Sequence, residues 1–208
     1  MNGLRSGFGS VGRGGKLVTL ILLSGCASTP VHYHTLVPAP VGDASDSAHS
    51  VYRINIAPVR IPAQVDRYEL VMRRGDGEIM LADGELWAAS LAEELRGAVL
   101  IELIRQLGSD EGRASVRPQI TLRLDVQRFD SALASYALLE ASWQVGLRSA
   151  TGEQRLTCIT RAYQRVRGGY DALVVGQQRN VVALADEIAA TVGDMADGAK
   201  PLCPVPSP

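Results

Sequence analysis

The chain has 208 residues, with 21 basic and 22 acidic side chains, a formal net charge of −1 and 46% hydrophobic residues. This near-neutral balance leaves no basic excess for a phosphate backbone, so nucleic-acid binding is not expected. The length suits a single domain with a sizeable core once an N-terminal leader is set aside.

The leader carries Arg5, Arg13 and Lys16, an apolar run from Leu17 to Leu23, then Ser24, Gly25 and Cys26, with no acidic residue ahead of the cysteine. A positive region, a short apolar core and small residues at a cut site form the secretory signal pattern. The apolar run is far below the ~20 residues that a membrane-spanning helix needs. Leu23-Ser24-Gly25-Cys26 resembles the bacterial lipobox, whose cysteine takes diacylglycerol on its thiol and an acyl chain on its amine after cleavage. Residues 1–25 are therefore expected to be removed and Cys26 lipidated, with no other cofactor. Two or more acyl chains hold a protein to a membrane where one binds only marginally. In similar lipoproteins an aspartate after the cysteine signals inner-membrane retention. Ala27 and Ser28 stand there instead, which implies the outer membrane, on its periplasmic face. Loss of three basic residues with the leader leaves 18 against 22 acidic ones, a net charge of −4.

Residues 26–50 read as a flexible tether rich in Pro, Ser, Ala and Asp, with Tyr33 to Val37 as a short edge strand within it. A single domain is expected over 51–203, followed by a disordered tail at 204–208. It opens with Tyr52, Ile54 and Ile56 alternating with Arg53 and Asn55, a half-buried strand. Pro58 and Pro62 then end regular structure. Tyr68–Arg73 and Glu78–Leu81 flank Gly75-Asp76-Gly77, a hairpin signal. Asp83 and Gly84 are expected to start a long helix with Glu85 in its first turn, and Leu91, Leu95, Ala98, Val99, Leu103 and Leu107 give its stripe before Gly108.

Three long strands follow. The first alternates Val116, Ile120, Leu122, Leu124 and Val126 with polar residues. The second puts Ala137, Leu139, Ala141, Trp143, Val145 and Leu147 on one face. The third turns Leu156, Cys158, Thr160 and Ala162 inward and Arg155, Arg161, Tyr163, Arg165 and Arg167 outward, either a solvated face or a contact for acidic partners or lipid headgroups. A second helix is expected from Gln177 to Ala196, on a stripe including Val181, Leu184, Ile188 and Val192. The resulting class is α+β, a largely antiparallel sheet with two long helices packed on one face. With Cys26 lipidated, Cys158 and Cys203 remain as a pair in an oxidising compartment, and a disulfide between them is expected.

Other motifs carry little. Gly7-Phe8-Gly9-Ser10-Val11-Gly12 matches a dinucleotide fingerprint only inside the leader, and Arg74-Gly75-Asp76 reads as a tight turn. His32, His34 and His49 all precede the domain, so no Ser-His-Asp or Cys-His site is expected within it, and no metal site. Glu93-Glu94 and Asp186-Glu187 fall at positions read as solvent-facing. No catalytic residue is expected.

Several stretches resemble one family. Tyr33-His34-Thr35-Leu36 is similar to the Tyr-x-Thr-Leu opening of the PqiC-type auxiliary lipoproteins of envelope transport. Ile56-Ala57-Pro58-Val59-Arg60-Ile61-Pro62 with Val65-Asp66-Arg67 resembles its strand, proline-bounded turn and Asp-Arg. Leu86-Trp87-Ala88 with Leu91 looks like its Leu-Trp-Ala-x-x-Leu helix start. The chain departs from the family at Tyr68, where proline is usual after Asp-Arg, and at Ala89-Ser90, where Glu-Pro is common. The resemblance implies a non-catalytic subunit working with MCE-domain proteins, whose tunnels carry lipids or other hydrophobic molecules between the membranes. It would dock such a tunnel at the outer membrane, as a ring of copies matching the symmetry of the partner. Pro58, Arg60, Pro62, Asp66, Arg67 and Trp87 are then the candidate partner surface. Two rivals remain: a stand-alone envelope-integrity or outer-membrane assembly lipoprotein bound to a β-barrel or peptidoglycan, and a carrier holding lipid in its own cavity.

Overall fold

The computed structural model describes residues 30–39, 52–108, 118–150 and 152–204. The leader, Cys26, Ala27, Ser28 and His49 lie outside them. Among the described residues, seven strands and two helices run in the order β1 (His32–His34), β2 (Arg53–Ile56), β3 (Glu69–Arg74), β4 (Glu78–Trp87), α1 (Leu91–Leu107), β5 (Gln119–Ala132), β6 (Tyr136–Ser149), β7 (Gly152–Arg165), α2 (Tyr170–Ala196). They form an α+β fold with a three-stranded sheet, β1-β4-β3, and a four-stranded sheet, β2-β5-β6-β7.

The three long strands pair antiparallel over nearly their whole lengths, and β2 joins β5 in parallel. Alternation places Ile120, Leu122, Leu124 and Val126 against the helices, opposite Leu147, Val145, Trp143 and Ala141. A register shift between Val126 and Arg128 then changes the phase. Beyond it Phe129 and Ser131 take the inward positions, a switch that a strict period of two cannot anticipate. Both helices cover this face, with α1 packed on α2 and α2 lying across β6 and β7.

Two helix starts differ from expectation. The Asp83-Gly84-Glu85 stretch belongs to β4, and α1 begins at Leu91 behind Ser90, whose hydroxyl accepts from the Glu93 N–H at 3.4 Å. Between the pairs Glu69↔Leu86 and Val71↔Leu81, β3 spends one residue and β4 spends Ala82 to Glu85. Gly84 sits in this bulge at φ +74°, so an Asp-Gly that reads as a helix entry serves as a kink in a strand. The second helix starts at Tyr170, ahead of Gln177. Gly176 does not break it. A Cβ there would meet Val166 Cγ2 at 3.0 Å and Ala137 Cβ at 3.1 Å, so the glycine allows the helix to approach β6 closely.

The stretch read as a strand inside a tether is part of the fold. β1 pairs in parallel with Glu85–Trp87, and Leu36, which follows it, is fully buried. Val59, Val65, Leu70 and Trp87 join the same core as the helix and sheet residues.

Candidate functional site

The proline-bounded turn is built on two buried valines. After β2 the chain keeps company with β5: the Ala57 N–H donates to Leu122 O at 2.9 Å, the Arg60 N–H to Leu124 O at 3.1 Å, and the Val126 N–H to Arg60 O at 2.8 Å. Pro58, which has no N–H, occupies the interruption between these bonds. Val59 and Val65 point into the core, while Pro58, Arg60, Asp66 and Arg67 are exposed and Pro62 is half-buried. Arg60 lies 4.0 Å from Asp125 and Arg67 lies 3.6 Å from Glu69, both loose surface pairs of little energetic weight. Tyr68, 59% exposed, extends the same ledge and was not anticipated. An exposed tyrosine beside Asp-Arg gives no periodic signal.

Trp87 is not part of this surface. It is 3% exposed and meets Phe129 edge-on, with ring centroids 6.2 Å apart. Its backbone N–H donates to Tyr68 O, tying the end of β4 to the start of β3. Buried against Phe129, the indole has no route to a partner.

Cys158 and Cys203 are disulfide-bonded, with Cα atoms 5.4 Å apart. The bond ties the chain beyond α2 to the helix-facing side of β7.

The histidines correct a second expectation. His32 Nδ1 and His34 Nε2 bind the two carboxylate oxygens of Glu85, at 3.0 and 2.5 Å. These two residues therefore lie within the fold, and the His34 side chain is only 10% exposed. Burial pushes the Glu85 carboxyl up, but hydrogen bonds from His34 and His32, with their charge, outweigh it and leave its pKa below the ordinary value. Glu94 is also not solvent-facing: it is buried and accepts from Thr35 Oγ1 and from the Leu36 N–H, both at 2.8 Å. Glu187 is half-buried and hydrogen-bonded to Thr160 Oγ1, which in turn accepts from Trp143 Nε1 at 2.8 Å. These carboxylates fix β1 and α2 in place. Among the described residues, no group of three His, Cys, Asp or Glu is placed to hold a metal ion.

The basic stripe is where alternation puts it, with Arg155, Arg161, Tyr163, Arg165 and Arg167 exposed. Arg155 and Arg161 are engaged by Glu153 and Glu140, both at 2.8 Å, and Tyr163 stacks on Tyr136 at 5.7 Å.

Among solved structures, the fold is shared with a protein of the DUF330 family from Xanthomonas campestris, at 16% identity and a TM-score of 0.55, over 81% of this chain and 98% of that one. An uncharacterized protein matches at 16% identity and a TM-score of 0.58, over 79% and 99% of the two chains. No curated protein matches. These likenesses define the class by its fold, an α+β domain. The family model of the ABC-type transport auxiliary lipoprotein component matches residues 34–189, and the chain belongs to that family. Among the described residues, no helix is long and apolar enough to cross a membrane.

Proposed function

We propose that this protein is a non-catalytic subunit of an intermembrane, MCE-type and ABC-associated transport system for lipids or other hydrophobic molecules. It is held at the periplasmic face of the outer membrane by diacylglycerol and an N-acyl chain on Cys26, with Ala27 and Ser28 permitting export from the inner membrane. Its task is to dock the periplasmic tunnel of an MCE-domain protein, as a ring of copies. The observation that carries this reading is the family match over residues 34–189, whose description is of a transport auxiliary lipoprotein. The ledge supports it, because Pro58, Arg60, Asp66 and Arg67 are exposed on a core-anchored turn, which suits contact rather than chemistry.

The test is co-purification with an MCE-domain partner from membranes, comparing wild type with Asp66→Ala, Arg67→Ala and Cys26→Ala. Asp66 and Arg67 are exposed, so their variants should fold normally. Reduced capture by either ledge variant, and loss of fatty-acid label and membrane retention in Cys26→Ala, are expected. Undiminished capture by both ledge variants would remove this turn as the dock. If wild type retains no such partner, the stand-alone envelope reading takes its place.

A further inference from the structure

The three-stranded sheet has one face toward the core and one turned away from it. On β4, Glu85 takes the two histidines of β1 and Trp87 meets Phe129, so Leu86 between them looks the other way. Tyr33 and Glu69 share the row of Leu86, and the pairs Leu81↔Val71 and Ile79↔Arg73 continue the same outer face. Between the first two rows β3 spends only Leu70 while β4 spends its bulge, which sets Leu81 in the row beside Leu86. Tyr33 is 69% exposed, Ile79 43% and Leu81 39%, and Val31, one position ahead of β1, is 51% exposed. Scattered single apolar residues on a surface need no explanation, but several on one small sheet face mark a contact.

Charge around this face is balanced. Arg67 pairs with Glu69 at 3.6 Å, Arg74 with Glu78 at 3.8 Å and Arg73 with Asp130 at 3.3 Å. Asp83, exposed in the bulge, adds one further carboxylate. The face therefore offers apolar area without any cationic excess, and a tyrosine at one corner. A tyrosine ring with its hydroxyl suits a boundary between apolar and wet surroundings.

The place of this face on the chain selects its occupant. Val31 follows Cys26 by five peptide links, a reach of at most ~18 Å. We infer that the outer face of the three-stranded sheet lies on the lipid bilayer, with Val31 and Tyr33 at the headgroups and Ile79 and Leu81 against the same surface. The inference rests on the anchor at Cys26 proposed above. The contact is small, and the short link sustains it by keeping the face at high local concentration beside the membrane. Without a cationic excess it has no need of anionic lipid. A second copy or a transport partner would have to enter the space that the short link leaves between this strand and the membrane.

The experiment places the full-length lipidated protein in phosphatidylcholine vesicles, with or without bromine on the acyl chains as a quencher. Trp87 and Trp143 are buried and supply a constant background. Tyr33→Trp and Leu81→Trp put a reporter on the face, and Ile159→Trp puts one on the uncovered side of the four-stranded sheet, where Ile159 is 58% exposed. All three positions are exposed, so the variants should fold, which thermal melting checks. Brominated lipid should remove most of the added emission of the two face reporters and leave that of Ile159→Trp intact. Mixing in phosphatidylglycerol or adding salt should not alter the result. A long Gly-Ser insertion between Cys26 and Pro30 should abolish the quenching. Vesicle flotation reads the anchor separately: protein that floats with unquenched face reporters overturns this inference alone, and protein that does not float overturns the anchor as well. Equal quenching of all three reporters overturns the face in favour of a domain that turns freely at the surface. Face reporters shielded from lipid in a protein with the mass of a dimer overturn the bilayer in favour of a second copy.

Discussion

Cys203 is one residue whose removal has a predictable reach. The bond to Cys158 closes a loop with a sequence separation of 45, which contains the whole of α2. Cross-linking restricts the unfolded chain more than the folded one, and a loop of this size is worth ~2–4 kcal/mol. Cys203→Ser should therefore lower the unfolding free energy by that amount under oxidising conditions, and wild type with reductant should behave like the variant. Coincident curves for oxidised wild type and the variant would show that the bridge contributes nothing to stability.

Glu85 makes a prediction that depends on pH. Its carboxyl titrates in the fold below the ordinary 4.5, because the histidine contacts outweigh the effect of burial. A depressed folded pKa contributes stability that is complete above the unfolded value and is lost as pH falls through the folded one. Unfolding free energy should thus drop more steeply below pH 4.5 for wild type than for Glu85→Gln, which keeps the shape but removes the titration. Urea melts over a pH series supply the comparison, and parallel profiles would count against the clamp.

At the scale of elements, two glycines should respond to alanine with opposite signs. Gly84 holds φ +74° in the β4 bulge, a conformation that costs a side-chain-bearing residue ~1–2 kcal/mol, so Gly84→Ala should destabilise. Gly97 lies inside α1, and a Cβ there meets nothing within 4 Å. Gly97→Ala should stabilise by ~0.5–1 kcal/mol through helix propensity. Calorimetric melting of the pair decides, and a stabilising Gly84→Ala would place the true helix entry at Asp83 after all. The same two elements show what was legible in the chain. The hairpin around Gly75-Asp76-Gly77 and the three long strands were readable, because turn residues and period-two burial are local properties. The entry to α1 was not, because Asp-Gly serves a cap and a bulge equally. Only the pairing of Leu86 with Glu69 decides between them.

For the whole molecule, the disulfide pair was legible from cysteine count and compartment alone. The turn residues were singled out as a candidate surface by family likeness, and the exposure of Pro58, Arg60, Asp66 and Arg67 goes with Val59 and Val65 taking the buried positions of the turn. Trp87 was misplaced because a tryptophan at a strand end looks the same whether it faces a partner or the core. The engagement of His32 and His34 was invisible, since their partner Glu85 lies about fifty residues away, on a strand whose register the sequence does not display. The closeness of Thr121 and Arg155 over Gly146, a glycine of β6, was equally hidden, because it exists only through the alignment of three strands.

The seating of β1 sets how far the domain can stand from its membrane. Glu85, Glu94 and Gln178 grip residues 32 to 37, and Leu36 is sunk in the core, so the fold takes hold of the chain at its very start. Under the anchoring proposed at Cys26, only four peptide links separate the acylated residue from Pro30, a clearance of at most ~14 Å. Val37 and Tyr52, on either side of residues 40–51, pack against the same core, so chain length added between them adds nothing to that distance. Residues inserted between Cys26 and Pro30 should let the domain rise and reach a more distant partner, while the same insertion between 40 and 51 should leave its height unchanged. Cross-linking to bilayer-embedded probes would measure the difference, and equal gains from both insertions would mean that β1 releases its grip at the membrane.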